Sequence, residues 1–338
     1  MKVLIFKVNQ LGDNLLYLPV VQALQRTFGP KCIDLCTTRA AAPLFDGLVP
    51  REQLHLFVRD DFNKAWKNPL RFLELVRFVR GLRPEIVIAP YDQGNVARVL
   101  TLLSGATHRF GVESPGQNTN WCVTRCLPMN LRAPMAGQDW QIMSLVEAVS
   151  GEKYPCDPPP PDLGHILPPD SRRYPRRVMI HPGASREYKK WPLARFVALA
   201  GALIDEGFEV VWCLQNLEGE DELDSRVRAF PQGPLRDHIA RTAECGLFIG
   251  NNSGPMNIAN ALGVPSLVFS GPSPAMWDPF WNRGKTINLR LPELSCQPCD
   301  EGRAPKGECQ NTQEPMACME RWSVAAVASK AVALWNEC

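Results

Sequence analysis

No apolar run in this 338-residue chain approaches the ~18 residues that a membrane-crossing helix requires. Charge of one sign is lacking too. Lys and Arg number 37 and Asp and Glu 35, a formal net charge of +2, so there is no global electrostatic case for a nucleic-acid partner. No small-residue cleavage site follows the short apolar opening, residues 1–8, and a secretory signal is not expected. The expected location is the cytoplasm, with peripheral attachment at the cytoplasmic face of the inner membrane. No internal repeat of fixed period is evident. The 12 cysteines then sit in a reducing compartment, which argues against a disulfide framework. What remains is ordinary globular composition, 45% hydrophobic and 21% charged, with chain enough for about two domains.

The N-terminal half alternates between strand-like runs (3–8, 32–36, 85–89, 109–112) and helical periodicity (13–28, 70–82, 95–104). Such alternation implies a parallel sheet with helices on both faces. Pro158, Pro159, Pro160 and Pro161 then interrupt the chain; they lack ladder donors and favour extended structure. A Pro-rich linker is expected over 154–176. It separates an N-terminal domain, 1–153, from a C-terminal domain, 177–320, and a terminal helix over 321–338 follows. In the second domain 177–181, 209–214, 246–250 and 266–270 read as strands and 193–206 and 235–243 as helices, the former stopped by Gly207. Two such α/β domains leave a cleft between the carboxyl ends of their sheets, where ligands of open α/β sheets bind.

Three strand-to-helix junctions carry candidate chemistry. Asn252, Ser253, Gly254 and Pro255 form a turn that opens a helix, and Pro suits the first helical turn. Free amides there, with the positive end of the helix dipole, make an anion site; the alternative is a plain turn with a capping serine. Gly12 permits a tight turn after the first strand, and Asp13 stands at or near the next helix N-cap. It either caps that helix, worth about 1 kcal/mol, or serves as a general base. His181-Pro182-Gly183-Ala184-Ser185 leads into Lys189-Lys190-Trp191-Pro192, where either lysine can offer a point charge to phosphate. The alternative is a solvated basic loop with the tryptophan in the core.

Taken in order, Leu11-Gly12-Asp13, His181 to Ser185, Lys189 to Pro192, and Ser253-Gly254-Pro255-Met256 with Ala261 to Pro265 resemble the bacterial heptosyltransferase family. Asp92 to Arg98 and Arg109-Phe110-Gly111-Val112 fit its N-terminal domain. The resemblance implies an α/β fold of the GT-B type, two Rossmann-like domains with parallel sheets facing a central cleft. It implies transfer of heptose from ADP-heptose to a lipopolysaccharide core sugar or related anionic glycan, with inversion and without a catalytic metal. On this resemblance Asp13 is the base and Gly12 lies on the acceptor side. Lys189 contacts the diphosphate, with Ser185 assisting. Asn252, Ser253, Gly254, Pro255 and Asn257 approach the sugar diphosphate, and Glu218 or Glu220 holds the ribose. The family usually carries Asp and His where this chain has Asn252 and Asn257, so another nucleotide-sugar, or a protein acceptor, stays open. An epimerase on the same fold, or a partner protein that has lost donor binding, are the readings from other classes.

Cys296 and Cys299 form a Cys-x-x-Cys knuckle, and Cys309 and Cys318 follow; four thiolates suit structural Zn²⁺ or iron. Gly302, Pro305 and Gly307 suit a tight loop between them. Free thiols or adventitious disulfides are the alternatives, and some relatives that modify proteins resemble an iron-binding finger here. Arg71, Arg77, Arg80 and Arg83 would favour an anionic acceptor, and Arg98 is the best acceptor-side candidate. Trp66, Trp121 and Trp140 either line an acceptor groove or pack in the core.

Overall fold

Short aliphatic runs bounded by Gly, Pro and Asn fold as buried parallel strands, and amphipathic segments between them fold as the crossover helices. The computed structural model describes residues 1–91, 94–113, 118–130, 132–213, 222–230, 233–299, 308–309 and 311–338. The chain divides into two compact units, Met1–His165 and Ile166–Cys338.

In the first unit the strands are β1 (Val3–Phe6), β2 (Ile33–Thr38), β3 (Leu54–Phe57), β4 (Ile86–Ala89), β5 (His108–Val112) and β6 (Arg125–Leu127). Helices α1 (Leu11–Phe28), α2 (Arg59–Asn63), α3 (Pro69–Leu82), α4 (Asn95–Leu103), α5 (Met135–Trp140) and α6 (Ile142–Ser150) accompany them. All pairings are parallel, in the order β3-β2-β1-β4-β5-β6. Every residue of β1 and β4 is buried, as a sheet covered on both faces demands.

The second unit repeats the plan. Its strands are β7 (Tyr174–His181), β8 (Glu209–Cys213), β9 (Arg228–Phe230), β10 (Cys245–Asn251), β11 (Ser266–Phe269) and β12 (Thr286–Leu289). Its helices are α7 (Leu193–Asp205), α8 (Leu235–Ala243), α9 (Gly254–Ala261), α10 (Ala317–Glu320) and α11 (Val324–Asn336). The order β12-β11-β10-β7-β8-β9 is that of the first sheet, strand for strand. Both units therefore have the 3-2-1-4-5-6 order of a Rossmann-like sheet. Gly207, at φ +82°, ends the turn after α7 in the left-handed conformation expected of it. α11 buries Val327, Ala331 and Leu334 in the core beneath α7, beside Trp191 and Phe269.

Four strands escaped the sequence reading: β3, β6, β9 and β12. They are the edge strands of the two sheets, and their residues are mostly half-buried or exposed. Backbone pairing on one side holds them, so they carry no continuous apolar signature. The Pro-rich stretch is bound at both ends. Tyr154 Oη meets Thr27 Oγ1 at 2.6 Å, Trp140 Nε1 donates to the Pro155 carbonyl at 2.8 Å, and Gln22 exchanges two hydrogen bonds with the Asp162 backbone. The division between units falls at 165/166, within the expected linker.

Candidate active site

In an open sheet of this order, ligands bind beyond the carboxyl ends of the strands where the order reverses. Those strands are β1 and β4 in the first unit and β7 and β10 in the second. The three junctions singled out in the sequence follow β1, β7 and β10.

After β1, Lys7 to Gln10 turn into α1. The helix begins at Leu11, two residues earlier than the sequence indicated, with Gln10 as N-cap and no side-chain cap. Asp13 therefore lies within the first turn, half-buried, rather than at the cap. A carboxylate there is favoured by the helix dipole. Buried Asn14 holds the loop: Nδ2 donates to the carbonyls of Asn9 (3.2 Å) and Gln10 (2.9 Å), and Thr37 Oγ1 donates to its Oδ1 (2.7 Å). Gly12 is buried beneath this loop. Arg98, the acceptor-side candidate, lies in the interior of the first unit. It is 0% exposed on α4 and donates to the Val112 carbonyl of β5. Asp92 and Gln93, after β4, lie outside the described residues. Trp66 and Trp121 are exposed, whereas Trp140 is core.

After β7, the loop 182–192 is held by Asn251 at the end of β10. Asn251 Nδ2 donates to the Pro182 carbonyl at 2.6 Å, and the Trp191 amide donates to Asn251 Oδ1 at 3.0 Å. Sequence reasoning passed over Asn251, whose partners are 60 and 69 residues away. Trp191 is core, stacked on Phe269 with centroids 4.5 Å apart. Gly183 leaves room for the His181 ring, since a Cβ there would come within 2.7 Å of His181 Cε1. Ser185 is exposed and Lys189 half-buried, in a single 3-10 turn. Lys190 pairs with Glu187 at 2.5 Å.

The imidazoles in this region are neutral. Burial, then the neighbouring His238, pushes His181 down to about 3. Burial, then Arg241, takes His238 to about 4, and its Nδ1 lies 3.2 Å from Cys213 Sγ. Neither ring brings positive charge to an anionic ligand near neutral pH.

After β10, Ser253 is the N-cap of α9, with Pro255 in the first turn. Its hydroxyl does not cap the helix; it bonds back to the Asn251 carbonyl at 3.1 Å. The plain capping-serine alternative therefore fails, and the helix start has no side-chain cap. Gly254 and Pro255 are half-buried, and Asn252 and Asn257 are buried beside them. Glu218 and Glu220 lie outside the described residues.

Cys296, Cys299 and Cys309 lie near enough to Cys318 to act on its thiol. Cys318 is buried, and its thiol is pushed up to about 12 by burial and then by Cys299, Cys309 and Cys296. Cys309 Sγ accepts from the Met316 amide at 3.2 Å. Among the described residues no three His, Cys, Asp or Glu side chains stand at metal-holding spacing. Gly302, Pro305 and Gly307 are outside those residues. A cavity of about 590 Å³ lies beside this region, lined by Gly183, Lys190, Trp191, Cys309, Met316 and Glu320 among others. It does not reach Ser253 or Lys189.

Residues 169–308 match the model of glycosyltransferase family 9 (heptosyltransferase). The chain is 24% identical to lipopolysaccharide heptosyltransferase 3 of Escherichia coli over 298 residues, 80% of this chain and 84% of that one. The structure of E. coli ADP-heptose lps heptosyltransferase II superposes with a TM-score of 0.71 at 18% identity, covering 100% and 99% of the two chains. The iron-containing dodecameric glycosyltransferase TibC from enterotoxigenic E. coli superposes with a TM-score of 0.59 at 17% identity, covering 99% and 76%. These likenesses give the fold as GT-B, two Rossmann-like α/β units.

Proposed function

We propose that the chain is a member of glycosyltransferase family 9, whose model matches residues 169–308, and that it is an inverting transferase moving heptose from ADP-heptose to a lipopolysaccharide core or related envelope glycan, without a catalytic metal. The observation that carries this reading is the placement of 9–14, 181–192 and 251–257 at the order reversals of two matching sheets. In the reaction the acceptor oxygen attacks the anomeric carbon, the bond from that carbon to the phosphate oxygen breaks, and ADP leaves. The hydroxyl proton passes to Asp13. Lys189 and the start of α9 oppose the charge growing on the departing diphosphate. The neutral His181 and His238 cannot do so, which leaves Lys189 with more of the task.

The test is calorimetric binding of ADP, UDP and GDP, repeated with Lys189→Ala. Selective ADP binding, weakened about tenfold or more in the variant as a lost charge-assisted contact requires, is the expected result. A preference for UDP or GDP would discard heptose. No binding to any of the three would favour the non-enzymatic reading.

Cys296, Cys299, Cys309 and Cys318 have the donor chemistry of a structural Zn²⁺ or iron site, and we propose that they hold one such ion. The bound ion would tie the segment after β12 to α10, which carries Cys318. Elemental analysis of purified protein should find about one metal per chain. Metal-free protein with the same melting temperature before and after chelation, and unchanged in Cys318→Ser, would refute this site.

No described helix is long and apolar enough to cross a membrane. A surface stripe on the first unit supports a peripheral contact instead. On α3, Leu70 (75% exposed) and Leu73 (44%) precede exposed Arg77 and Arg80 at near-helical spacing, and Trp66 (64%) is exposed in the 3-10 turn just before that helix. Apolar anchors with adjacent arginines suit an anionic bilayer surface. Sedimentation with phosphatidylglycerol vesicles should be strong at low salt and lost in a Trp66→Ser, Leu70→Ser variant. Equal binding to neutral vesicles, or none, removes this part of the proposal.

A further inference from the structure

Asn252 stands between the end of β10 and the Ser253 that opens α9, and its amide is held from beneath. Nδ2 donates to Ser270 Oγ at 3.2 Å and to Asp278 Oδ1 at 3.4 Å. Ser270 gives its own proton onward to Asn288 Oδ1 at 3.0 Å, so toward Asn252 it is an acceptor. An ionised carboxylate is also acceptor-only. Both neighbours therefore require the NH₂ end of the amide, and the flipped amide would set its oxygen against the Asp278 carboxylate. No described residue donates to Oδ1 of Asn252, and that atom is not sealed from solvent.

Asp278 is in turn fixed. Arg290 reaches Oδ2 through Nη1 at 2.7 Å and Oδ1 through Nη2 at 2.6 Å, and Nη2 also donates to the Ser273 carbonyl at 2.8 Å. The Asp278 side chain is 15% exposed. Burial raises its carboxyl above the ordinary value while Arg290 opposes that. A two-bonded guanidinium is the partner of a charged carboxylate.

We infer that Asp278 is a positioning residue of the donor site, turning the Asn252 amide so that its oxygen faces the donor as a hydrogen-bond acceptor. This rests on the donor-site reading of the 251–257 turn and adds to it a residue to which the sequence reading gave no role. It also gives a reason for an amide at 252. An aspartate there would stand against Asp278, and two carboxylates so close repel, which raises the pKa of one of them. The charge belongs at one position of the pair, and in this chain it is at 278.

The experiment compares wild type, Asn252→Asp, Asp278→Asn and the double variant, each titrated with ADP and with ADP-heptose and assayed for the donor KM. Each single change should raise the KM for ADP-heptose by about tenfold, the loss of one oriented hydrogen bond near a charge, while ADP affinity stays within about twofold. The double variant should return to within about threefold of wild type, the mark of coupled residues. In Asn252→Asp the donor KM should fall as pH is lowered, because one of the facing carboxyls then takes a proton; a purely structural defect would not follow that profile. Penalties that multiply in the double variant, or singles that lose ADP as strongly as ADP-heptose, overturn the inference and leave the donor site standing. Wild type that binds neither ligand overturns both. Asn252→Ser, which keeps the Asp278–Arg290 pair, provides an arm independent of any folding defect at 278. It must weaken ADP-heptose and spare ADP, and uniform or no loss counts against the inference.

Discussion

Asp13→Asn is expected to lower kcat by about 10²–10⁴, the range that a positioned general base contributes. Three features point to this size. Asp13 lies in the first turn of α1, directly beyond the strand where the first sheet reverses its order. It is half-buried, so it is reachable yet partly shielded from water. Buried Asn14, next to it, locks the loop that leads to it through three hydrogen bonds. The substitution keeps the side-chain shape and removes only the capacity to take a proton. Loss of a favourable charge near the helix start costs on the order of 0.3–1 kcal/mol of stability, too little to unfold the unit. Single-turnover assays with saturating donor and acceptor separate the two effects. ADP affinity should hold within about twofold, since the proposed donor contacts are all in the second unit and a kcat loss without a binding loss marks an interaction made in the transition state. Turnover at the wild-type rate would remove Asp13 from the mechanism.

Asp139→Ala is expected to be the most destabilising of these single changes. Lys7, just past β1, and Asp139, on α5, form an ion pair at 3.1 Å with side chains only 1% and 0% exposed. The Tyr17 ring lies 5.0 Å from the lysine ammonium. Burial, and then the Asp139 charge, holds the Tyr17 phenol well above its ordinary value, so that side chain stays neutral. Removing the carboxylate takes from a buried ammonium its ion-pair partner at 3.1 Å, a loss that costs about 3–5 kcal/mol. For a unit of this size the melting temperature should fall by on the order of 10 °C. Replacing both partners by apolar residues, Lys7→Met with Asp139→Leu, should recover most of that loss, because the desolvation of two charges disappears with their attraction. Thermal and urea unfolding of the three variants measure this. A melting temperature for Asp139→Ala within about 2 °C of wild type would mean that water reaches Lys7, against the burial seen here. The pair also bears on the site. It ties the end of β1 to α5, and the same short segment continues to Gly12 and Asp13. Asp139→Ala should therefore lower transfer activity at temperatures well below its own unfolding.

Local chemistry singled out the junctions of the candidate site. Glycine, proline and a short acidic residue mark the tight turns where a strand gives way to a helix, so Gly12 with Asp13, Gly183 after His181, and Gly254 with Pro255 stood out. The inner strands were legible for a related reason. A strand covered on both faces is apolar at every position, as Val3 to Phe6 and Ile86 to Ala89 are. Edge strands lack that requirement, and all four were missed. Arg98 looked like a surface cation near a strand end, but its partner, the Val112 carbonyl, belongs to another element. Nothing in a lone arginine announces that its guanidinium is turned inward.

The sequence by itself determined the alternation of strands and helices, the two Rossmann-like halves, and the strand-to-helix junctions proposed as the site. These depend on contacts within a few residues, where backbone conformation and periodicity act directly. Only the tertiary structure decided which residues stand beneath those junctions. The Lys7–Asp139 pair spans 132 positions, Asn251 reaches 69 back to the Pro182 carbonyl, and Asp278 meets Asn252 across 26. Such pairs form because parallel crossovers bring distant strand ends side by side, and a buried polar group in that place must find its partner there or lose the stability of a hydrogen bond.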